Sequence, residues 1–173
     1  MCRTKIYTCS QAGFMSKEES VAQAVCLYEL STKRTLAGLK TFICFIELNK
    51  AYDSVPHEAC LKKIEDFGIR GRALTWISKL YENPSIGCRT PDGTTPPRPY
   101  RRGLKQGDPL SPILFNIFIN DIIDQHLESL GIEVNGQKIC ALMFADDIAF
   151  ISDSITKCPK YFYYSRNGAT IGR

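Results

Sequence analysis

Apolar and polar positions along the chain fall into two periods, and these predict alternating helices and short strands. Ser16-Lys17-Glu18-Glu19 has the form of a capping box, with Ser16 as N-cap and Glu19 reaching back. Val21, Ala24, Val25 and Tyr28 follow at helical spacing, so a helix is expected to about Lys33, with Gly38 beyond its end. Thr41 to Leu48 is apolar on both sides of a two-residue period, which predicts a strand covered on both faces. Glu47 interrupts that run near its end. A carboxylate there either marks the exit into solvent or belongs to a site, because sites commonly form at the C-terminal ends of buried strands. Asn49 to Asp53 reads as a turn or short helix. Pro56 is expected at the first position of a helix with Leu61, Ile64 and Phe67 as its stripe and Gly68 as its stop. A further helix spans about Arg72 to Tyr81, with Trp76 expected in the core.

The second half carries the stronger signals. Ser85 to Thr90 and Thr94 to Tyr100 predict a hairpin around Pro91-Asp92-Gly93. Prolines 96, 97 and 99 confine its second strand to an edge or loop. Asp108 caps and Pro109 opens a helix that is apolar on most of its circumference to about Leu127, and so deeply buried. Ile132 to Val134, the turn Asn135-Gly136 and the run from Lys138 to Ala145 predict a hairpin with a type I′ turn. The second strand of that hairpin runs into Asp146-Asp147. These two acids sit between two β-prone runs, Leu142 to Ala145 and Ile148 to Ile151, which places them at a hairpin tip. Asp is a common turn residue, and that is the plainer reading. Adjacent carboxylates repel, however, and a hard divalent cation bound by carboxylate oxygens would neutralise them.

Composition narrows the class. The chain has 173 residues, 44% hydrophobic and 23% charged, as in an ordinary one-domain globular protein. No apolar run reaches the length of a membrane span, and the N-terminus lacks the apolar stretch of a signal peptide. The eight cysteines are scattered singly with no Cys-x-x-Cys, so neither zinc nor a disulfide partner is expected and the reading is an intracellular protein. Net charge is +4 but unevenly spread. Residues 54–105 carry ten Lys or Arg against five Asp or Glu, whereas residues 106–155 carry one against eight. A basic segment beside an acidic one suits a site where phosphates meet metal-binding carboxylates, although opposite solvated faces would give the same pattern.

Three motifs then occur in order: Asn49-Lys50-Ala51-Tyr52-Asp53-Ser54-Val55-Pro56-His57, Arg102-Gly103-Leu104-Lys105-Gln106-Gly107-Asp108-Pro109-Leu110-Ser111-Pro112, and Phe144-Ala145-Asp146-Asp147. Together they resemble the reverse transcriptase domain of non-LTR, LINE-like retrotransposons. Gln11-Ala12-Gly13-Phe14 also resembles a fingers motif of that family, and the similarity covers about residues 11–152. The resemblance implies an α+β right-hand polymerase: a palm of antiparallel sheet backed by helices, partial fingers and no thumb. On that pattern residues 1–10 are coil, 11–40 partial fingers, 41–56 palm, 57–100 a fingers–palm connection, 101–153 palm and 154–173 an unmatched tail.

The same resemblance implies two-metal nucleotidyl transfer from a dNTP to a primer 3′-hydroxyl, directed by an RNA template on a DNA primer. Asp146, Asp147 and the first-strand position, here Glu47, would hold two Mg²⁺ ions, with Mn²⁺ an alternative. Tyr52 matches the aromatic that excludes a ribose 2′-hydroxyl, and Gln106 matches a residue that places the incoming nucleotide. Lys50, Arg101, Arg102 and Lys105 are phosphate candidates. Asp53 and Asp108 read as structural. The chain departs from the family at Glu47, where Asp is expected, and residues 154–173 match none of the family's later helix, lysine motif, primer grip or thumb. No endonuclease domain is recognisable. These departures predict weak or absent polymerisation. Two readings compete with a reverse transcriptase: a catalytically dead remnant with weak nucleic-acid binding, and an RNA-directed RNA polymerase, against which Tyr52 and Gln-Gly-Asp-Pro argue.

Overall fold

A computed structural model describes residues 10–123 and 125–157, without the side chains of 125 and 126. The expected N-terminal coil up to residue 9 and the tail from residue 158, with Tyr161 to Tyr164, lie outside the described residues. In chain order the elements are α1 (Ser20–Leu36), β1 (Phe42–Ile46), α2 (Ala51–Ser54), α3 (His57–Asp66), α4 (Gly71–Leu80), β2 (Ser85–Ile86), β3 (Arg89–Thr90), β4 (Gly93–Thr94), β5 (Arg98–Pro99), α5 (Ser111–Ile119), α6 (Gln125–Leu130), β6 (Ile132–Val134), β7 (Gln137–Ile139), β8 (Ala141–Phe144) and β9 (Asp147–Ser152), with a 3₁₀ turn at Ile155–Lys157. The described residues form two compact units, one of residues up to 49 together with those from 119, the other Lys50–Phe118.

The first unit is built on a three-stranded antiparallel sheet in the order β1-β9-β8. Phe42 pairs with Ser152 and Ile46 with Ile148 on one side of β9; Ala141 pairs with Phe150 and Phe144 with Asp147 on the other. β9 is central, and every residue from Ile148 to Ser152 is buried. β1 was expected to be covered on both faces, but Phe45 is 74% exposed and the other four residues are half-buried. The reason is position: β1 is an edge strand, so its apolar run is only partly enclosed. The β6–β7 hairpin turns at Asn135 and Gly136, whose φ values of 51° and 76° are those a type I′ turn requires. Its second strand does not continue unbroken to the aspartates. At Cys140 the chain changes partner: the Cys140 carbonyl accepts from Ile151 N at 2.8 Å, and β8 then pairs with β9.

Helix α1 begins at Ser20, not at Ser16, and Glu19 as N-cap makes no side-chain capping bond. Two successive turns, Met15 N to Ala12 O and Glu18 N to Met15 O, occupy the capping-box residues, and Lys17 has a φ of 70°. A left-handed residue cannot lie in the first turn of an α-helix, so the box is not formed. The predicted apolar stripe is also exposed: Val21 is 66%, Val25 50% and Tyr28 71% accessible. At the other end Leu39 N bonds Arg34 O across Gly38, whose φ is 72°. Arg34 then ties the helix to the approach to β1, donating from Nε to Thr41 Oγ1 and from Nη2 to Lys40 O, each at 2.9 Å.

In the second unit Pro56 is the N-cap of α3 rather than its first residue, with Gly68 at φ 101° just beyond the helix. α3 buries His57, Cys60 and Ile64. In α4 the core positions are Ile77 and the following Tyr81, one turn apart; Trp76, expected in the core, points about 100° away and is 64% exposed. The predicted hairpin forms as two short pairings, β3 with β4 and β2 with β5, and Pro99 lies in an edge strand as expected. Asp108 Oδ1 accepts from Leu110 N at 2.9 Å, and its carbonyl from Ser111 N at 3.1 Å. Helix α5 therefore starts at Ser111, and it is as buried as its composition requires, with Leu114, Phe115, Ile117 and Phe118 all at 8% exposure or less. It ends at Ile119 instead of Leu127. Asn120 and Asp121, which compete for backbone hydrogen bonds, follow immediately, and helix resumes only at Gln125.

Among the described residues no helix is long and apolar enough to cross a membrane. Burial pushes the Cys60 thiol up to about 12, with nearby Lys63 pulling weakly the other way. At pH 8 Cys60 is therefore a neutral thiol and is expected to resist iodoacetamide in the folded protein, while exposed Cys26 and Cys88 are carboxamidomethylated. Peptide mass mapping checks this, and equal labelling of Cys60 would show that α3 opens readily.

Candidate active site

The aspartate hairpin closes in two residues. Phe144 pairs with Asp147, leaving Ala145 and Asp146 as the turn. Ala145 has a φ of 57° and Asp146 has no positive φ, the pattern of a type II′ turn. Glycine is the usual residue at that first position, because a Cβ there is strained. Asp146 is half-buried in the turn, and Asp147 opens β9 exposed to solvent.

Residues 10–13 hold this turn along the free edge of β8. Met143 N donates to Ser10 O at 2.8 Å and Ala12 N to Met143 O at 2.9 Å. The Gln11 side chain, buried at 6% exposure, makes three bonds. Its Nε2 donates to Ala145 O at 3.1 Å, and its Oε1 accepts from Ala145 N at 3.0 Å and from Gly13 N at 2.7 Å. Gly13 is packed so closely that a Cβ would overlap the Ala145 nitrogen and lie 2.8 Å from its Cα. Pattern reading gave Gln11 no such part, since 134 residues separate it from Ala145 and no periodicity links them.

Glu47 follows the last β1 pair, Ile46 with Ile148, and so comes to the level of Asp147 on the neighbouring strand. Both carboxylates are exposed, and both line a groove of about 820 Å³ beside Leu27 and Tyr28 of α1, Phe45 and Phe144. Asp146 does not line it. Among the described residues no three His, Cys, Asp or Glu side chains form a ready-made metal cluster. A pair of exposed carboxylates is nonetheless the donor set that suits Mg²⁺, which keeps several waters and is often held by one or two carboxylates plus substrate phosphates. Glu47 and Asp147 are thus oxygen donors of the kind that a hard divalent cation takes.

The six nucleotide and phosphate candidates all belong to the second unit. Tyr52, on α2, is half-buried and stacks on Phe115 of α5 with ring centroids 4.7 Å apart and planes 12° from parallel. Gln106 Nε2 donates to the exposed Asp53 Oδ1 at 3.3 Å. Lys50 is exposed at the start of α2 with a φ of 49°. Lys105 holds its ammonium 5.8 Å from the centre of the Tyr81 ring. Arg101 and Arg102 are exposed on a cleft of about 660 Å³ that His57, Tyr81 and Tyr100 also line. His57 bonds Gly103 O through Nε2 at 2.8 Å and packs against both tyrosine rings. Burial raises the Tyr81 and Tyr100 hydroxyls above the ordinary phenol range, so both are neutral donors at pH 7.

Comparison with known proteins agrees with these motifs. A family described as "Reverse transcriptase (RNA-dependent DNA polymerase)" matches residues 4–164. A retrovirus-related Pol polyprotein from the type-1 retrotransposable element R2 of Popillia japonica is 31% identical over 163 residues, which is 88% of this chain and 26% of that protein. The R2 polyprotein of Nasonia vitripennis is 30% identical over 79% of this chain and 13% of its own length. The chain thus spans about a quarter or less of these relatives. Among solved structures, telomerase from Candida albicans overlays with a TM-score of 0.61 at 14% identity, covering 92% of this chain and 28% of that one. Apo telomerase from Candida tropicalis gives 0.62 at 14% identity, covering 89% of this chain and 30% of that one. The overlays support an α+β polymerase palm with mixed helices and antiparallel sheet, and with the family match over most of its length this chain belongs to the reverse transcriptase (RNA-dependent DNA polymerase) family.

Proposed function

We propose that this chain is the catalytic portion of a non-LTR retrotransposon polymerase, acting on an RNA template, a DNA primer and dNTPs. The observation that carries this reading is that Glu47 and Asp147, the residues next beyond the terminal Ile46–Ile148 pair of the β1–β9 ladder, line one groove. Glu47, Asp147 and the adjacent Asp146 would hold two divalent ions, Mg²⁺ or Mn²⁺. Such ions would supply stabilisation of the charge that develops during an in-line displacement at phosphorus. The chain's own work is positioning. The ring of Tyr52, fixed by its stack on Phe115, presents a rigid wall to a sugar and would exclude a 2′-hydroxyl. Gln106, held by Asp53, would orient the incoming nucleotide, and Lys50, Arg101, Arg102 and Lys105 would contact phosphates in a salt-sensitive manner.

The test is primer extension on an RNA template with dNTPs or rNTPs. Template-directed incorporation of dNTPs over rNTPs supports the reading. Efficient rNTP incorporation would favour an RNA polymerase. Failure to incorporate either, with salt-sensitive RNA binding retained, would favour a remnant, a reading that Glu47 in place of Asp keeps in contention. Within the first outcome, Tyr52→Ala is expected to raise rNTP use relative to dNTP by about 10–200-fold, the range of a single steric discrimination. Unchanged selectivity would remove Tyr52 from the sugar-contacting set.

A further inference from the structure

We infer that Gln11 is a positioning residue for the carboxylate turn, setting the aim of Asp146 and Asp147 and so the affinity of the site for divalent metal. The inference rests on the polymerase reading above and adds a part that no motif assigned. Three observations converge on it. Gln11 contacts both peptide groups flanking the Ala145 Cα, one through its donor and one through its acceptor. Those two peptides define the φ and ψ of the turn's first central residue, and the second of them carries Asp146. The residue so held is an alanine at φ 57°, a conformation that alanine leaves readily unless its surroundings fix it.

The side chain is itself fixed. Gln11 is buried, its Oε1 is shared with Gly13 N, and its backbone lies in register with Met143 as a parallel bridge on the β8 edge. Ser10 and Ala12 pair with Met143 on either side, which holds the Gln11 backbone against the β8 edge. Gly13 completes the clamp by having no Cβ to push the Ala145 peptide outward. The arrangement is that of an outer-shell partner, which touches no metal or substrate but orients the groups that do.

Two variants approach the clamp from opposite sides. Gln11→Met keeps the length and most of the volume and removes all three side-chain hydrogen bonds. Gly13→Ala leaves Gln11 intact and displaces the Ala145 peptide sterically. Mn²⁺ binding is followed by electron paramagnetic resonance at a temperature where circular dichroism shows the variant folded. Each variant is expected to bind Mn²⁺ about 10–100-fold more weakly than the unsubstituted chain, the usual consequence of losing an outer-shell partner. If one variant does not fold, the other carries the measurement. Where primer extension is measurable, the metal concentration for half-maximal rate should rise by the same factor while the KM for dNTP stays within about twofold of the unsubstituted value. Unchanged Mn²⁺ affinity in a folded variant overturns this inference alone. Absence of Mn²⁺ binding by the unsubstituted chain overturns the metal reading and this inference with it.

Discussion

Glu47→Asp is expected to raise the rate of metal-dependent primer extension by about 10²-fold or more. The argument is geometric. Glu47 directly follows Ile46, the last β1 residue paired with β9, and stands where the family resemblance leads one to expect an aspartate. Its side chain is one methylene longer, which displaces the carboxylate by ~1 Å. Mg²⁺ requires oxygen ligands at about 2.0–2.1 Å in near-octahedral geometry and does not absorb such a shift. Misplacement by ~1 Å commonly costs ~10²-fold, equivalent to about 2.7 kcal/mol in the barrier. Glu47 is exposed and follows an edge strand, so the shorter side chain can be introduced with little effect on folding. Single-nucleotide incorporation under matched Mg²⁺ compares the two chains directly. Equal and robust rates would mean that the backbone already accommodates Glu47.

The largest effect on stability is expected at Phe150. It lies at the middle of the central strand, is wholly buried, and pairs with Cys44 on one side and Ala141 on the other. Phe150→Ala should lower stability by about 3–5 kcal/mol, the sum of lost transfer free energy and the cavity left behind. That is a large part of the ~5–15 kcal/mol typical of a folded domain. Phe45, on the same sheet but 74% exposed, provides the contrast: Phe45→Ala should change stability by less than about 0.5 kcal/mol. Urea denaturation of both variants measures the difference. Similar losses at the two positions would mean that the β1 face bearing Phe45 is covered in solution.

The features legible in the sequence were those set by local chemistry. Asn135-Gly136 fixes its turn because both residues tolerate positive φ, Asp108 bonds the second amide beyond it in the turn that leads into α5, and α5 is buried because it is apolar nearly all round. The Asp146-Asp147 hairpin followed from two β-prone runs meeting at acidic residues. What pattern reading missed depended on neighbours remote in sequence. Trp76 and Ile77 are equally apolar, and only the packing of α4 decides which faces inward. The strand ending before Glu47 looked enclosed because its composition is apolar, yet its edge position leaves Phe45 in solvent. The capping box was overruled by the turns that follow residues 10–13 as they pair with β8, and Asn120-Asp121 ended a helix whose apolar pattern ran on. The Gln11 clamp left no periodic trace at all, because a side chain bonding a distant backbone imposes no spacing.

A double-mutant cycle on metal affinity at Glu47 and Asp147, which line one groove, tests the shared metal most directly. Mn²⁺ binding is measured for the unsubstituted chain, Glu47→Gln, Asp147→Asn and the double variant. Two groups that grip the same ion are not independent, so either single substitution should remove most of the affinity and the second should cost far less than it does alone. Strictly additive losses, or a Glu47→Gln variant that binds as tightly as the unsubstituted chain, would contradict a shared metal at Glu47 and Asp147.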